Sequence, residues 1–374
     1  MLFNGRFLTR PATGVDRFAL ELMTAYAGPP AAGSPGAAAP ATGRAAPAGL
    51  APARVAVPPG RLRVLPPALR ERVFRVGSRG GQWWEQTALR EAASDDVLVN
   101  LCNTGPLWRR RQLVVIHDAA TFANPGNFSR AFRTWYRFLL GSLVQHSEAI
   151  LTVSAFSAGE LIRFLGRPAR EIEVIPESGE HILREPADGS LGEQLGLGGG
   201  RPFVLAVGSQ SPNKNFGAVA KAMALLGRDD VPLVAVGGAN KRVFAGGEPA
   251  ADERGVIRTG YVTDAQLRWF YEQALCFVFP SFYEGFGLPP LEAMCCGCPV
   301  IVSDASSLPE VCGSAALYCD PADPATLAAQ LARLLDSAAL RAEMAAAGRA
   351  HASRYTWAAV GERFGEIVAR RFPM

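Results

Sequence analysis

Lysine is almost missing from this chain. Lys214, Lys221 and Lys241 are the three that occur in 374 residues, and arginine carries the remaining basic charge. A lysine kept in such a background, beside other polar residues, is poorly explained as generic surface charge. No run of about 18 uncharged apolar residues exists, which excludes a membrane-spanning helix. The formal net charge of +4 is too small to point to nucleic acid, and no recognisable platform of stacking aromatics stands among the basic residues. The opening Met1-Leu-Phe-Asn-Gly-Arg reads directly as a strand, so no signal peptide is expected. Seven cysteines is an odd number, and without a secretory signal it favours reduced thiols in the cytoplasm. Cys295-Cys-Gly-Cys298 has no second pair at a spacing suited to structural zinc, so these thiols are expected to fill small buried positions. No Asp-x-Asp is set up for a diphosphate-bound metal. No Gly-x-Gly-x-x-Gly follows the first strand either, which disfavours a dinucleotide-dependent oxidoreductase.

What is present describes a folded protein: 49% of residues are hydrophobic and 19% charged, in a length that accommodates two domains. Short apolar runs alternate with helical patterns, the signature of parallel sheets covered on both faces. Strands are expected at 2–4, 54–57, 62–65, 97–101, 113–117, 150–153 and 172–175. A second series is expected at 203–207, 233–236, 256–259, 277–279 and 300–302, with helices between, among them 15–26, 129–145, 155–164, 216–226, 264–274 and 324–335. The polar, glycine-rich 176–201 breaks the pattern and reads as the domain boundary. Residues 27–53 are nearly all Ala, Pro and Gly. They are expected to form a flexible loop, either gating an acceptor site or inert. The expected domains are therefore 1–180 and 181–354, followed by a final helical segment, 355–374.

The richest segment is Phe279-Pro-Ser-Phe-Tyr-Glu284-Gly-Phe-Gly-Leu-Pro-Pro-Leu-Glu292-Ala-Met. A buried strand runs into a glycine-bearing loop, and the loop opens a helix in which Pro289 and Pro290 fit the first turn. Gly285 and Gly287 let backbone approach a ligand, and the first-turn N–H groups attract an anion. An anion site flanked by two carboxylates suits a ligand carrying both phosphates and hydroxyls, such as a nucleotide sugar. Gly208-Ser-Gln-Ser-Pro-Asn-Lys214-Asn215 follows another strand and places an ammonium at a helix entry, suited to a phosphate oxygen. His117-Asp118 closes a third strand, at the end where ligands gather in parallel sheets. Thr13-Gly14-Val15-x-Arg17 joins the first strand to the first helix and offers a second helix N-terminus.

The two glutamates resemble the Glu-x7-Glu motif of family 4 glycosyltransferases, retaining enzymes of the GT-B fold. Gly297-Cys-Pro-Val-Ile-Val-Ser-Asp304 and Leu308-Pro-Glu-Val311 extend that likeness. The opening Asn4-Gly-Arg-Phe-Leu-Thr with Thr13-Gly-Val resembles bacterial members that build exopolysaccharide or O-antigen. The resemblance implies two Rossmann-like, doubly wound parallel-sheet domains facing a cleft, with the final helix crossing back to the first domain. It implies a nucleotide-sugar donor, GDP-mannose by likeness to mannosyltransferases, and a glycan or polyprenyl-diphosphate-linked acceptor. Neither a metal nor another cofactor is implied.

Residue by residue, the resemblance assigns Glu284, His117 and Lys214 to the reaction centre. Glu284 takes donor-sugar hydroxyls, Glu292 the ribose hydroxyls and Lys214 the diphosphate. Gly14, Ser209, Gly285, Phe286, Gly287 and Leu288 complete the donor site, and Tyr261 and Val262 line the base pocket. Arg17 and Asp118 are candidates for acceptor or phosphate contact. One departure stands out. Many members carry an arginine a few residues before the lysine, where this chain has Ser209 and Gln210. That gap motivates an alternative, a non-catalytic scaffold of the same fold. A nucleotide-sugar epimerase is a further alternative, although no acid/base pair for it is evident. Basic stretches with bulky apolar residues, Trp108-Arg-Arg-Arg111 and 70–79, suggest peripheral contact with the cytoplasmic face of an anionic inner membrane.

Overall fold

A computed structural model describes residues 1–28, 53–168, 171–197, 199–209, 211–238 and 255–373. Most of the Ala/Pro/Gly stretch expected as a loop (29–52) lies outside the described residues, as do Gly198, Gln210 and Lys241. The chain divides into two compact units. Unit 1 comprises Met1–Ala119, Trp135–Glu177 and Trp357–Met374, and unit 2 comprises Ala120–Thr134 and Ser178–Thr356.

The sheet of unit 1 is built, among the described residues, from Leu2–Asn4 (β1), Arg54–Val57 (β2), Val73–Arg75 (β3), Leu98–Asn100 (β4), Gln112–Val115 (β5), Ala149–Thr152 (β6) and Ile172–Val174 (β7). Their order is β3-β2-β1-β4-β5-β6-β7, and every pairing is parallel. The inner strands β1, β4, β5 and β6 are buried at every position, which is why they read as unbroken apolar runs without alternation. Winding reverses at β1, so the crevice beyond the carboxyl ends of β1 and β4 is a topological switch point. The first helix, Gly14–Ala27, starts on a capping box in which Thr13 and Asp16 satisfy each other's backbone N–H groups. The last helix, Trp357–Arg371, packs on it: Phe364 meets Tyr26 edge-on at 5.2 Å and Phe3 at 6.1 Å.

Unit 2 carries Val204–Val207 (β8), Leu233–Val236 (β9), Val256–Gly260 (β10), Cys276–Phe279 (β11), Val300–Ser303 (β12) and Leu317–Cys319 (β13). Their order is β10-β9-β8-β11-β12-β13, again wholly parallel, with the reversal between β8 and β11. Val204, Val219, Val278, Ile301 and Leu331 belong to the core that seats helices Phe216–Leu226 and Pro324–Asp336 on this sheet.

The doubly wound parallel architecture expected from the sequence is present in both units. One expected strand is not. Residues 62–65 run into Pro66, leave Val64 90% exposed, and join no sheet; Val73–Arg75 takes the place beside β2. The edge strand β13, three residues long, was too short to register as an apolar run.

Gly208 and Gly237 close the ends of β8 and β9 against each other. Gly237 has φ 125°, and a Cβ there would lie 2.0 Å from the Gly208 carbonyl oxygen. Gly237→Ala is expected to cost roughly 3 kcal/mol from backbone strain and overlap together. A melting temperature indistinguishable from wild type would refute that tight junction.

Candidate active site

Strands β8 and β11 lie side by side, Val204 opposite Cys276 and Leu205 opposite Phe277, so their exit loops emerge together at the switch point of unit 2. The β8 loop passes Gly208 and a short 3-10 turn, Pro212–Lys214, before helix Phe216–Leu226. Asn215 joins turn and helix in the left-handed region at φ 54°, a conformation Asn tolerates better than most residues. Its Nδ2 donates to the carbonyls of Pro280 at 3.2 Å and Pro321 at 2.7 Å, which fastens the turn to the β11 loop. Phe282 N–H donates to Asn213 O at 2.9 Å and adds a second tie. The Lys214 stem runs over Gly208, where a Cβ would come within 3.3 Å of Cδ. Its Nζ stands 4.6 Å from the centre of the Phe279 ring and 2.7 Å from Glu284 Oε1. Both charges are part-buried, so each is held where water screens it poorly.

The loop carrying Glu284 is clamped from the β12 side. Glu284 N–H donates to Ser306 Oγ at 3.0 Å. Ser307 Oγ reaches the carbonyls of Glu284 at 3.0 Å and Phe286 at 2.7 Å. Gly287, φ 115°, starts helix Leu288–Cys295, whose first turn contains the two prolines. A side chain at Gly287 would meet Leu308 Cδ2 at 2.7 Å. Phe286 and Leu288 bury their side chains, so what they offer a ligand is backbone. Gly285 lies in the same loop, between Glu284 and Phe286.

Glu292 lies within that helix and is buried. His181 Nε2 lies 3.0 Å from its Oε1, and Tyr271 donates its hydroxyl to Oε2 at 3.0 Å. The other ring nitrogen of His181 faces Ser178 O at 3.2 Å, so the imidazole bridges backbone and carboxylate. Burial, with Glu292 alongside, pushes the Tyr271 pKa well up and keeps the phenol a donor. Gly179 is what lets the 178–183 segment lie flat on this helix; a Cβ there would be 2.5 Å from the Leu291 carbonyl carbon. Sequence reasoning missed both partners. His181 sits in the polar stretch read as the domain boundary, and Tyr271 lies in the expected 264–274 helix, to which no site role was given. The signal available was Ile182-Leu183 after the histidine, an apolar pair out of keeping with a solvated linker.

In unit 1, His117 stands two residues past β5 and is only 4% exposed. Its Nδ1 is 3.2 Å from Glu177 Oε1, its Nε2 3.0 Å from Leu101 O, and Phe18 meets the ring edge-on at 4.9 Å. Burial alone would lower its pKa, but Glu177 outweighs burial and raises it above 6.5, with the Leu101 carbonyl and Asp118 adding to the effect. Arg17 Nη1 lies 3.7 Å from Glu21 Oε1, one helical turn on. Gly14 opens its helix into unfilled space, with no atom near where a Cβ would go. Tyr261, after β10, is 76% exposed and rests on Gly238, leaving no room for a side chain there; Val262 follows it, and Ser209 follows Gly208 beyond β8. Burial pushes the Cys295 thiol to about 12 and that of Cys298 well above its ordinary value. Among the described residues no cluster suited to a metal ion occurs, and no helix is long and apolar enough to cross a membrane.

Two outcomes follow from these pairs. Replacing His181 with Leu strips a buried carboxylate of one partner and should cost about 3 kcal/mol, with Tyr271→Phe costing about half that. Loss of stability in neither variant would show that Glu292 is solvated after all. For His117 the folded pKa is raised, so its contribution is complete below the ordinary 6.5 and disappears as pH climbs through the higher folded value. The melting-temperature gap between wild type and His117→Gln should therefore shrink on going from acid to alkaline pH, and a gap that widens would reverse the assignment.

Comparison with known proteins bears on the same residues. The family model described as "Glycosyl transferases group 1" matches residues 190–351, a span holding Lys214, Glu284 and Glu292. The chain is 34% identical over 255 residues to O-antigen chain mannosyltransferase B of Escherichia coli, covering 66% of this chain and 67% of that one. It is 28% identical over 289 residues to the serotype-specific mannosyltransferase WbdA of Escherichia coli, covering 72% of this chain but only 34% of the relative's length. Sucrose-phosphate synthase from Thermosynechococcus elongatus superposes with a TM-score of 0.73 over 99% of this chain and 98% of that one. At 19% identity that likeness carries the fold alone.

Proposed function

The chain belongs to the group 1 glycosyltransferases, and we propose that it is a retaining mannosyltransferase of bacterial polysaccharide assembly, moving mannose from GDP-mannose to a growing, lipid-linked glycan. The observation that carries this reading is the Lys214–Glu284 pair, 2.7 Å apart where two adjacent strands end. A sugar joined to a diphosphate presents hydroxyl and phosphate oxygens a few bonds from one another, and these two side chains are spaced to take one each. The mannosyltransferase names of the relatives support the sugar.

In the empty site the ammonium and the carboxylate neutralise each other. With donor bound, Lys214 turns its charge to the diphosphate and Glu284 accepts hydrogen bonds from sugar hydroxyls. Phe279 holds the ammonium in place from below by cation–π attraction. The backbone N–H groups that follow Glu284, ahead of the two prolines in helix Leu288–Cys295, face the negative charge that grows on the departing diphosphate; such a preorganised donor is worth about 3 kcal/mol. Glu292, oriented by His181 and Tyr271, takes the ribose hydroxyls. That assignment favours ribonucleotide donors over deoxyribonucleotide ones. Tyr261 and Val262 border the base; in unit 1, His117 and Gly14 are candidates for donor contact, and Arg17 and Asp118 for acceptor or phosphate contact. The acceptor hydroxyl enters on the face the diphosphate leaves, and a phosphate oxygen takes its proton.

Glu284→Ala should cut transfer by at least about a hundredfold while leaving the fold and melting temperature intact. Near-normal turnover in that variant, measured as mannose transferred, would defeat the assignment. A thermal-shift comparison of GDP-mannose with UDP- and dTDP-sugars tests the donor, the expected result being stabilisation by GDP-mannose. Stabilisation by none of them would favour the scaffold. Nucleotide release that does not respond to acceptor would instead point to an epimerase.

A further inference from the structure

Four non-glycine residues among those described carry a positive φ: Asn103 at 60°, Trp108 at 53°, Asn215 at 54° and Ser306 at 57°. Residues with a side chain seldom adopt that backbone, and such strain persists where the surroundings need it. Three of the four bind a residue of the candidate site. Asn103 Oδ1 accepts the N–H of His117 at 2.7 Å, Asn215 Nδ2 fastens the Lys214 turn to Pro280 and Pro321, and Ser306 Oγ accepts the N–H of Glu284 at 3.0 Å. Asparagine tolerates this region better than most residues, so two of the three are easily accommodated. Serine does not share that tolerance.

Ser306 takes the first central position of the turn Ala305–Leu308, closed by a hydrogen bond from Leu308 N–H to Ala305 O at 3.3 Å. The second central residue, Ser307, has φ −77° and ψ −11°. Positive φ at the first position alone is the pattern of a type II′ turn, where glycine is the preferred residue. Glycine there would relieve the backbone but would carry no oxygen for the Glu284 N–H. The other grip on that loop is of a different kind. Ser307 Oγ reaches the carbonyls of Glu284 at 3.0 Å and Phe286 at 2.7 Å, and so fixes the peptides beyond Glu284. Ser306 fixes the peptide on the amino side of Glu284, whose carboxylate stands 2.7 Å from Lys214 Nζ.

We propose that Ser306 is a positioning residue for donor-sugar recognition: its hydroxyl, kept despite the strain in its backbone, sets the Glu284 carboxylate where it grips the sugar hydroxyls. Ser306 acts through Glu284 and not on the donor. The assignment rests on the reading of Glu284 given above and adds to it a second residue that decides how well the sugar is held.

The test is calorimetric titration of the full chain with GDP-mannose and with GDP, for wild type, Ser306→Gly, Ser306→Ala and Glu284→Gln. Both Ser306 variants should lose about fivefold in affinity for GDP-mannose relative to GDP. Affinity for GDP itself should hold, because Lys214 and the peptides gripped by Ser307 stay in place. Ser306→Gly should nevertheless melt above Ser306→Ala, since both lack the hydroxyl and only alanine keeps the strain. A serine with a structural duty alone would behave otherwise: the binding defect would follow the melting temperature, and glycine would recover what alanine loses. Adding Ser306→Ala to Glu284→Gln should change the ratio of the two affinities no further. Wild-type ratios in both Ser306 variants, or a full additional loss in the double variant, would overturn the role of Ser306 and leave that of Glu284 standing. Wild type that fails to bind GDP-mannose would overturn the donor reading and, with it, the assignment of Ser306.

Discussion

An ammonium and a carboxylate held in contact, partly out of water, set most of the local structure of unit 2. Lys214 and Glu284 stand 70 residues apart in sequence and 2.7 Å apart in space. Only adjacent parallel strands deliver two distant loops to one point in that way, and β8 and β11 are the neighbours at which the sheet reverses its winding. Everything nearby serves to keep those loops from drifting. Asn215 ties the first loop to Pro280 of the second and to Pro321 beyond β13, Ser306 and Ser307 hold the second from the β12 side, and glycines stand where a side chain would force the parts away from each other. A pair of opposite charges at this spacing costs little while empty, because each charge solvates the other. It is also ready to be separated by a ligand offering both a phosphate and a hydroxyl.

Much of this was legible in the sequence, and the parts that were not share a cause. Buried parallel strands announce themselves as unbroken apolar runs, and β1, β8, β9, β11 and β12 were placed to within a residue or so. The helix after Glu284 was legible because two prolines fit its first turn, and Asp264–Gln273 because Leu267, Phe270, Tyr271 and Ala274 recur at helical spacing behind Thr263-Asp264. These are local signals. His181 and Tyr271 were illegible because their meaning lies in Glu292, 111 and 21 residues away. A window centred on His181 sees Glu, Ser and Gly, a composition that reads as linker, and cannot see the helix on which Gly179 lets it lie. Residues 62–65 fail in the opposite sense. Their apolar character is local and real, but Leu62 and Leu65 line a pocket instead of a strand face.

Two histidine–glutamate pairs flank the second of the two points at which the chain passes from unit 1 to unit 2, the step from Glu177 to Ser178. Glu177, the last residue before the crossing, pairs with His117 inside unit 1. His181, just after it, pairs with Glu292 inside unit 2. Each pair is buried, so breaking one by removal of a single partner strands a charge and is far costlier than breaking a surface ion pair. Each unit thereby grips its own end of the connecting segment through a side chain on which its candidate site depends.

The division of labour between lysine and arginine closes the physical argument. Arginine has replaced lysine nearly everywhere in this chain, so the exceptions mark places where the guanidinium does not do the same work. At position 214 the charge must fit between the Phe279 ring and the Glu284 carboxylate along the narrow path over Gly208. A compact ammonium on a flexible stem can do this and can swing to a phosphate, whereas a planar fork would fill the space and lock to Glu284 through two parallel bonds. Arg63 shows the reverse. Its guanidinium carbon lies 5.6 Å from the centre of the Phe7 ring, where a delocalised, weakly hydrated cation is better placed than an ammonium. One basic residue type is therefore used where a charge has to move, and the other where it has to stay.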